Sequence, residues 1–173
     1  MSKTVWMFPG QGAQKVGMAK DFYENSTLAR QLFDEADAAL DFNLKDTCFE
    51  ENEQIHLTEY TQPCLVTACL AMAAELRKRG FRPDMTAGLS LGEYAAIAAA
   101  GGMSPPDAIR LVRKRGLLMQ NTIPAGEGAM CAVLGMETAV IETVLSGVDG
   151  VTIANYNCPG QLVITGRTAA VET

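Results

Sequence analysis

The sequence contains only one histidine, His56, and none of its five cysteines belongs to a C-x-x-C pair. An odd number of cysteines without such a pair argues against a disulfide framework. We therefore expect most of them to be small core residues of a protein in a reducing compartment. Because residues 41–60 form a polar, irregular stretch, we interpret His56 as a surface or hydrogen-bonded residue rather than a catalyst. No metal or bound organic cofactor is implied.

Positive charge and long apolar runs are also scarce. Fourteen Lys and Arg stand against twenty Asp and Glu, which gives a net charge of −6 and a pI of about 4.8. No basic stripe stands out, so a nucleic-acid surface is not expected. No apolar run is long enough to span a bilayer, and the N-terminus runs straight into a strand-like segment without a signal peptide. These absences predict a cytoplasmic protein with no nucleic-acid or membrane partner.

The stretch 83–101 is the most informative part of the sequence. A short apolar approach, 85–89, meets Ser90 and continues as an Ala-rich run, which predicts a strand, a sharp turn and a helix. Gly88 and Gly92 stand two residues either side of Ser90, where side chains would collide as the helix folds back on the strand. This G-x-S-x-G pattern is typical of a nucleophile elbow, in which helix N–H groups point toward an anion forming at the serine. The alternative is an ordinary strand-to-helix turn with Ser90 as the helix N-cap.

The N-terminal segment predicts a buried strand over Lys3–Phe8, followed by a loop with two glycines and two glutamines, 10–14. This loop is either a flexible connection or a second wall of the site, because loops at the carboxyl ends of strands hold ligands in α/β sheets. One or two helices are expected over Asp21–Leu40. A further helix is expected over Thr61–Arg79, and it has an apolar stripe that we interpret as core. The stripe consists of Leu65, Ala68, Cys69, Met72, Ala73 and Leu76.

A helix is predicted from Ser104, as N-cap, to Asn121. At 100° per residue, Arg115 lies in the middle of its apolar face and Arg113 points almost oppositely, as a solvated charge would. An inward arginine keeps its charge and needs an anionic partner. That partner is either an internal carboxylate such as Glu93 or the carboxylate of a substrate, and spacing alone leaves both open. The apolar face is formed by Ala108, Leu111, Val112, Leu118 and Met119.

The pattern changes after a hinge-like break at 124–128. Strand-like, helical, strand-like and strand-like segments follow at 129–135, 137–145, 151–155 and 161–165. This β-α-β-β order is typical of a split, ferredoxin-like unit. We expect residues 1–173 to contain only part of this unit, since its next helix would begin near Thr168 and the sequence ends at Thr173.

Several separate stretches match one family in order along nearly the whole chain. They are Phe8-Pro9-Gly10-Gln11-Gly12-Ala13-Gln14, Thr61-Gln62-Pro63, Gly88-Leu89-Ser90-Leu91-Gly92-Glu93-Tyr94, Arg115-Gly116, Met119-Gln120, Gly128-Ala129-Met130 and Asn155-Tyr156-Asn157-Cys158-Pro159-Gly160-Gln161. The chain resembles the N-terminal part of the malonyl-CoA:acyl carrier protein transacylases, the acyltransferases of fatty acid synthesis and of polyketide synthase modules. The resemblance implies an α/β fold: a hydrolase-like core with a parallel sheet over 1–126, and the start of a ferredoxin-like subdomain over 127–173.

The resemblance also implies site residues and partners. Ser90 would attack the thioester of malonyl-CoA, and the phosphopantetheine thiol of acyl carrier protein would then resolve the malonyl-serine ester. Backbone N–H groups of Gln11 and Leu91 would hold the oxyanion. Arg115 would pair with the malonyl carboxylate, and Gln62 and Gln11 would contact the substrate. Coenzyme A enters only as the handle of the acyl donor.

The sequence departs from the family pattern at one position, and one essential residue is expected elsewhere. Leu89 stands where the family usually has a histidine, which changes local polarity but not the predicted chemistry. The family's catalytic histidine would lie beyond Thr173, and His56 does not match it, so we do not expect residues 1–173 alone to be fully active. Three alternatives remain: a polyketide acyltransferase with a related extender unit, a serine esterase or acyl hydrolase with the same elbow, and a non-enzymatic module that docks carrier protein.

Overall fold

The computed structural model describes residues 2–123 and 126–173, and it is an α/β structure with one parallel and one antiparallel sheet. This confirms the expected fold class at that level. The chain divides into two compact units, Met1–Gln120 and Asn121–Thr173. The predicted domain boundary between 126 and 127 stays a prediction, and Pro124 and Ala125 of the predicted break lie outside the described residues.

The first unit is built on a pair of parallel strands separated by a run of helices. Strand β1 pairs with β2 in the register Val5↔Met85 to Phe8↔Gly88. The elements between and after them follow in chain order. They are β1 Val5–Phe8, α1 Lys20–Asn25, α2 Thr27–Ala39, α3 Leu44–Phe49, a short 3-10 helix Gln54–His56, α4 Thr58–Lys78, β2 Met85–Gly88, α5 Gly92–Ala99 and α6 Pro105–Thr122.

Strand β1 is less buried than predicted. Val5 is 43% and Met7 80% exposed, and only Phe8 of this strand is buried. Apolar residues in an all-apolar run were expected to face packed layers on both sides. Within the described residues β1 pairs on one edge only, with β2, so its alternate side chains remain accessible.

The prediction of an irregular stretch over 41–60 is wrong, because α3 forms there. Asn43 caps the helix, its side-chain oxygen accepting a hydrogen bond from the Asp46 N–H at 2.9 Å. Leu44 and Cys48 on the inner face of α3 are fully buried. A single helical turn and a half carries too few apolar residues to show a period, so tertiary burial decides its structure.

Helix α4 runs through the middle of the first unit. Every residue from Thr61 to Ala71 is buried, so the helix is covered on all sides there rather than along one stripe. The prediction that the apolar stripe is core is confirmed for Leu65, Ala68, Cys69 and Ala73, which are buried. The stripe also borders an apolar cavity of about 630 Å³ between α4 and β1, and Leu76 at its end is 38% exposed. Fully buried Phe33 of α2 packs against the rings of Tyr23 and Phe49, which also contact each other.

Helix α6 begins where the sequence predicted. The Asp107 N–H donates to Ser104 Oγ at 3.2 Å, which confirms Ser104 as the cap. The predicted apolar face is correct at Ala108 and Val112, which are fully buried, and wrong at Leu111 and Leu118, which are 45% and 63% exposed. The face that is buried consists of Ala108, Ile109, Val112, Arg113 and Gly116.

The second unit has the predicted β-α-β-β order. Its strands are antiparallel with spatial order β3-β5-β4, and its described apolar residues include only two buried ones, Ile141 and Leu162. The elements are β3 Gly128–Leu134, α7 Thr138–Leu145, β4 Val151–Cys158, β5 Gln161–Arg167 and α8 Thr168–Val171. Across both units, none of the described helices combines the length and apolar character that crossing a membrane requires.

Candidate functional site

Ser90 stands on a tight turn between β2 and α5. It is exposed and has a φ of 50°, a left-handed conformation that costs a residue other than glycine about 1–3 kcal/mol. A Cβ on Gly88 would come 2.1 Å from the Gly92 carbonyl carbon, and one on Gly92 would come 2.2 Å from the Phe8 carbonyl oxygen. Both positions therefore require glycine. Since Leu91 rather than Ser90 is the N-cap of α5, the alternative of an ordinary capping serine is wrong.

Arg115 reaches this turn from α6. Its Nη2 donates a hydrogen bond to Ser90 Oγ at 3.1 Å, and its guanidinium carbon lies 5.6 Å from the centre of the Tyr94 ring. No carboxylate of residues 2–123 and 126–173 forms an ion pair with it, so the alternative of an internal pair with Glu93 is wrong for this structure. A half-buried arginine beside an exposed serine is suited to bind an anionic group of a ligand.

The glycine loop lies against the same turn. A Cβ on Gly10 would come 2.9 Å from the Leu89 carbonyl oxygen, so the two backbones are in contact there. Gln11 donates from Nε2 to Thr58 Oγ1 at 3.0 Å, which ties the loop to the first turn of α4. Among the described residues, the backbone N–H groups of Gln11 and Leu91 donate no hydrogen bond. Both donors are thus available, and their predicted role in holding an oxyanion stays a prediction.

Gln62 is fully buried on α4, and its amide is only half satisfied. Nε2 donates to Met119 Sδ at 3.3 Å, whereas Oε1 has no partner in the part of the chain that the structure describes. A buried acceptor without a donor destabilises the folded protein, and this one belongs to a residue predicted to contact the substrate. Its role in binding substrate stays a prediction.

The expectation that Arg113 is solvated is wrong, because it is only 8% exposed. Its Nε and Nη2 donate to the two carboxylate oxygens of Asp41 at 2.9 and 3.0 Å, and its Nη1 donates to Glu59 Oε2 at 2.9 Å. Burial alone would lower the pKa of Arg113, but the hydrogen bonds to Asp41 and Glu59 raise it. The hydrogen bond from Arg113 in turn lowers the pKa of Asp41.

Sequence reasoning missed this cluster, although one signal was present. Each of its acids directly precedes an aromatic residue, in the pairs Asp41-Phe42 and Glu59-Tyr60, and a guanidinium can bind both members of such a pair. The two pairs are 18 positions apart, so only the fold brings them to Arg113.

The remaining candidate groups lie apart from Ser90 in the chain. His56 ends the short 3-10 helix Gln54–His56. Cys48, Cys64 and Cys69 are buried free thiols, while Cys131 and Cys158 are exposed, in line with the expectation that most are core residues. No group of three or more His, Cys, Asp or Glu among the described residues could hold a metal ion.

Comparison with known proteins finds relatives among the acyl transferases. A family described as "Acyl transferase domain" matches residues 5–173. The chain is 48% identical to the malonyl CoA-acyl carrier protein transacylase of Bacillus subtilis strain 168, over 99% of this chain and 56% of that protein. It is 43% identical to the enzyme of the same name from Staphylococcus aureus strain MRSA252, of which it covers 57%. It thus spans little more than half the length of these relatives.

Solved structures give the same answer. The acyl-carrier-protein S-malonyltransferase of Bartonella henselae superimposes with a TM-score of 0.91 at 38% identity, over 99% of this chain and 57% of that one. A malonyl-transacylase solved in complex with a type II PKS acyl-carrier protein superimposes with a TM-score of 0.88 at 38% identity, with the same shares covered. The predicted resemblance is confirmed, and the chain belongs to the acyl transferase domain family.

Proposed function

We propose that the protein carrying this chain transfers a malonyl group from malonyl-CoA to the phosphopantetheine thiol of acyl carrier protein, in fatty acid biosynthesis. The observation that carries the proposal is the contact between Arg115 Nη2 and Ser90 Oγ at 3.1 Å. It joins a serine on a strained turn to a cation that has no carboxylate partner among the described residues. A malonyl group offers both features that this pair requires, a thioester carbon for the serine and a carboxylate for the arginine.

The chemistry follows from nucleophilic catalysis in two steps. Ser90 Oγ attacks the thioester carbonyl carbon, its proton passes to a general base, and the tetrahedral intermediate expels the thiolate of coenzyme A. The thiol of the carrier protein then attacks the malonyl-serine ester and releases Ser90. The base would be the histidine that the family resemblance predicts beyond Thr173, since His56 does not match it.

Two backbone donors would stabilise the intermediate. The free N–H groups of Leu91 and Gln11 flank the turn, because Leu91 follows Ser90 and the Gly10 backbone contacts Leu89. Losing one such donor typically costs about 3–4 kcal/mol in the transition state. Leu91 is also almost fully buried, which fixes the start of α5 and the direction of its N–H.

The fold supports the finer assignment that we propose. The strand–turn–helix around Ser90, with its two obligatory glycines, fits a nucleophile elbow in a hydrolase-like core. The spatial order β3-β5-β4 fits the first three strands of a ferredoxin-like subdomain. Arg115 would favour acyl groups that end in a carboxylate over plain acyl chains, because a bidentate pair needs both oxygens.

The test is the intact mass of the full-length protein before and after brief mixing with malonyl-CoA. We expect a malonyl adduct that disappears when carrier protein bearing phosphopantetheine is added. Ser90→Ala should form no adduct. Ser146→Ala, a matched control on an exposed serine of the second unit, should form it normally.

Other outcomes would replace the proposal with a defined alternative. Release of free malonate without carrier protein would identify an acyl hydrolase. Equal loading of methylmalonyl and malonyl groups would indicate a polyketide-type enzyme. A protein that binds carrier protein but forms no adduct with either thioester would be a docking module.

A further inference from the structure

Arg113 is held more tightly than the arginine of the candidate site, although only two positions separate them. Three of its nitrogens donate four hydrogen bonds: two to the carboxylate of Asp41, one to the carboxylate of Glu59 and one to the Glu59 carbonyl oxygen, all between 2.9 and 3.0 Å. Its side chain is 9% exposed, that of Glu59 21% and that of Asp41 69%. The cluster is therefore buried on its Glu59 side and reaches solvent through Asp41.

Two aromatic rings complete the enclosure of Arg113. The guanidinium carbon lies 4.9 Å from the ring centre of Phe42 and also 4.9 Å from that of Tyr60. The two rings contact each other edge to face, with centres 4.9 Å apart. A planar guanidinium can stack on the rings while it binds a carboxylate bidentately, whereas the ammonium of a lysine cannot do both.

Further contacts lock the same face of α6 onto the first turn of α4. A Cβ on Gly116 would come 2.8 Å from the Glu59 Cα, so the two helices touch there without a side chain between them. One turn later, Gln120 Oε1 accepts a hydrogen bond from the backbone N–H of Thr58 at 3.1 Å. Arg113, Gly116 and Gln120 lie three and four positions apart, so they form one continuous row along α6.

This lock determines the direction of Arg115. Arg115 lies two positions after Arg113, which is about 200° around the helix. Because α6 is a rigid helix, contacts that hold the face bearing Arg113 against α4 also prevent α6 from turning about its axis, and so fix the direction in which Arg115 leaves the helix. The glycine loop is tied to α4 without any residue of α6, because Thr58 Oγ1 accepts the hydrogen bond from Gln11 Nε2, so loosening α6 leaves that contact in place. Reactions that depend on a preformed geometry lose up to about 100-fold in rate when a group is misplaced by about 1 Å.

We propose that Arg113 is a positioning residue that fixes α6 on the first turn of α4 so that Arg115 faces Ser90 and selects carboxylated acyl groups. The inference rests on the proposed function. Arg113 acts through Arg115, so its loss should affect substrates with a terminal carboxylate and spare those without one.

The test compares Arg113→Lys with wild type in the full-length protein, with malonyl-CoA and acetyl-CoA as substrates. We expect kcat/KM for malonyl-CoA to fall roughly 10- to 100-fold, mainly through KM, while the slower reaction of acetyl-CoA changes less than about twofold. Arg110→Lys is the matched control, because it is the same substitution on the same helix in an exposed pair with Asp107. It should leave both reactions unchanged.

A double-mutant cycle separates positioning from general stability. In an Arg115→Ala background, Arg113→Lys should cause no further loss with malonyl-CoA, because the residue through which it acts has gone. An equal fall for both thioesters, or losses that add in the double variant, would overturn the proposal.

If Arg113→Lys does not fold, Asp41→Asn is the deciding variant, since it changes only the solvent-exposed carboxylate of the cluster. It should lower malonyl selectivity in the same direction, and unchanged selectivity would count against the proposal.

Failure of the proposed function gives a different result. In that case the wild-type protein itself does not prefer malonyl-CoA over acetyl-CoA. A crystal structure of Arg113→Lys then decides the inference without any activity. We expect Arg115 Nη2 to lie beyond hydrogen-bond reach of Ser90 Oγ, and an unchanged separation would overturn the inference.

Discussion

The two units of the chain differ in how their backbones are supported. In the first unit, α4 is buried on all sides over Thr61–Ala71. The turn at Ser90 packs closely against the end of β1, since a Cβ on Gly92 would clash with Phe8. In the second, only Ile141 and Leu162 among the described apolar residues are buried. The candidate chemistry lies entirely in the thickly packed unit. A strained serine and an arginine without an internal carboxylate are held in place only by closely packed surrounding structure, and the first unit provides that packing.

Glycine substitutions should show the largest difference in stability between the two units. Gly92→Ala places a Cβ 2.2 Å from the Phe8 carbonyl oxygen, and backbone atoms cannot yield easily, so we expect a loss of at least about 3 kcal/mol in the free energy of unfolding. Gly147→Ala in the second unit meets only the Val144 carbonyl oxygen at 3.6 Å and should change stability by less than about 0.5 kcal/mol. Urea denaturation measures both. A tolerated Gly92→Ala would mean that the turn is not closely packed.

Core truncations should show the same difference in smaller measure. Phe33→Ala removes a fully buried ring packed against Tyr23 and Phe49, and should cost about 3–5 kcal/mol. Leu162→Ala should cost about 2 kcal/mol, because the thinly covered sheet around it can close more easily over the space. Urea titrations followed by tyrosine fluorescence and by far-UV circular dichroism would measure both losses. Equal losses would show that the two units are packed equally well.

Cysteine labelling rates test the same difference in packing between the two units without any substitution. Burial raises the pKa of Cys69 to about 11, so at pH 8 very little of it is the reactive thiolate. We expect iodoacetamide to label the exposed Cys131 and Cys158 at least about tenfold faster than Cys69, as read by peptide mass spectrometry. In urea all the cysteines should react at similar rates. Fast labelling of Cys69 in the native protein would mean that the first unit opens locally.

The smallest expected effect is the pH dependence contributed by Asp41. Its pKa is lowered in the folded protein by the hydrogen bond from Arg113, so its stabilising contribution is present above the ordinary aspartate pKa of about 3.9. The contribution is lost as pH falls through the lowered pKa. Since the Asp41 side chain is 69% exposed, we expect less than about 1 kcal/mol. The stability difference between wild type and Asp41→Asn should therefore be larger at pH 6 than at pH 3, and an equal difference would contradict the assignment.

Local sequence patterns predicted the elements whose causes are local. The strand, turn and helix around Ser90 follow from two glycines that allow the backbone of the helix to pack directly against the strands. The start of α6 follows from Ser104, whose hydroxyl caps the helix. Periodicity alone left Glu93 and a substrate carboxylate as equal candidates for the partner of Arg115, and the family resemblance favoured the substrate. No sequence pattern predicted the hydrogen bond from Arg115 to Ser90.

The elements that were predicted wrongly depend on distant partners. A helical wheel treats apolar residues as inward, so it placed Leu111 and Leu118 inside and Arg113 outside. The structure reverses this, because Asp41 and Glu59, 72 and 54 positions away, compensate the buried charge. Helix α3 was missed for a similar reason, since the burial of Leu44 and Cys48 depends on α4.

The parallel pairing of β1 with β2 sets an order on folding during synthesis. The Thr4 N–H bonds the carboxylate of Asp84, 80 positions later, so the first strand leaves the ribosome long before its partner. Helices α1 to α4 can pack in the meantime, but the turn that bears Ser90 cannot close until β2 lies beside β1. We therefore expect the serine to acquire its reactive geometry late, when the nascent chain has already buried most of its first core.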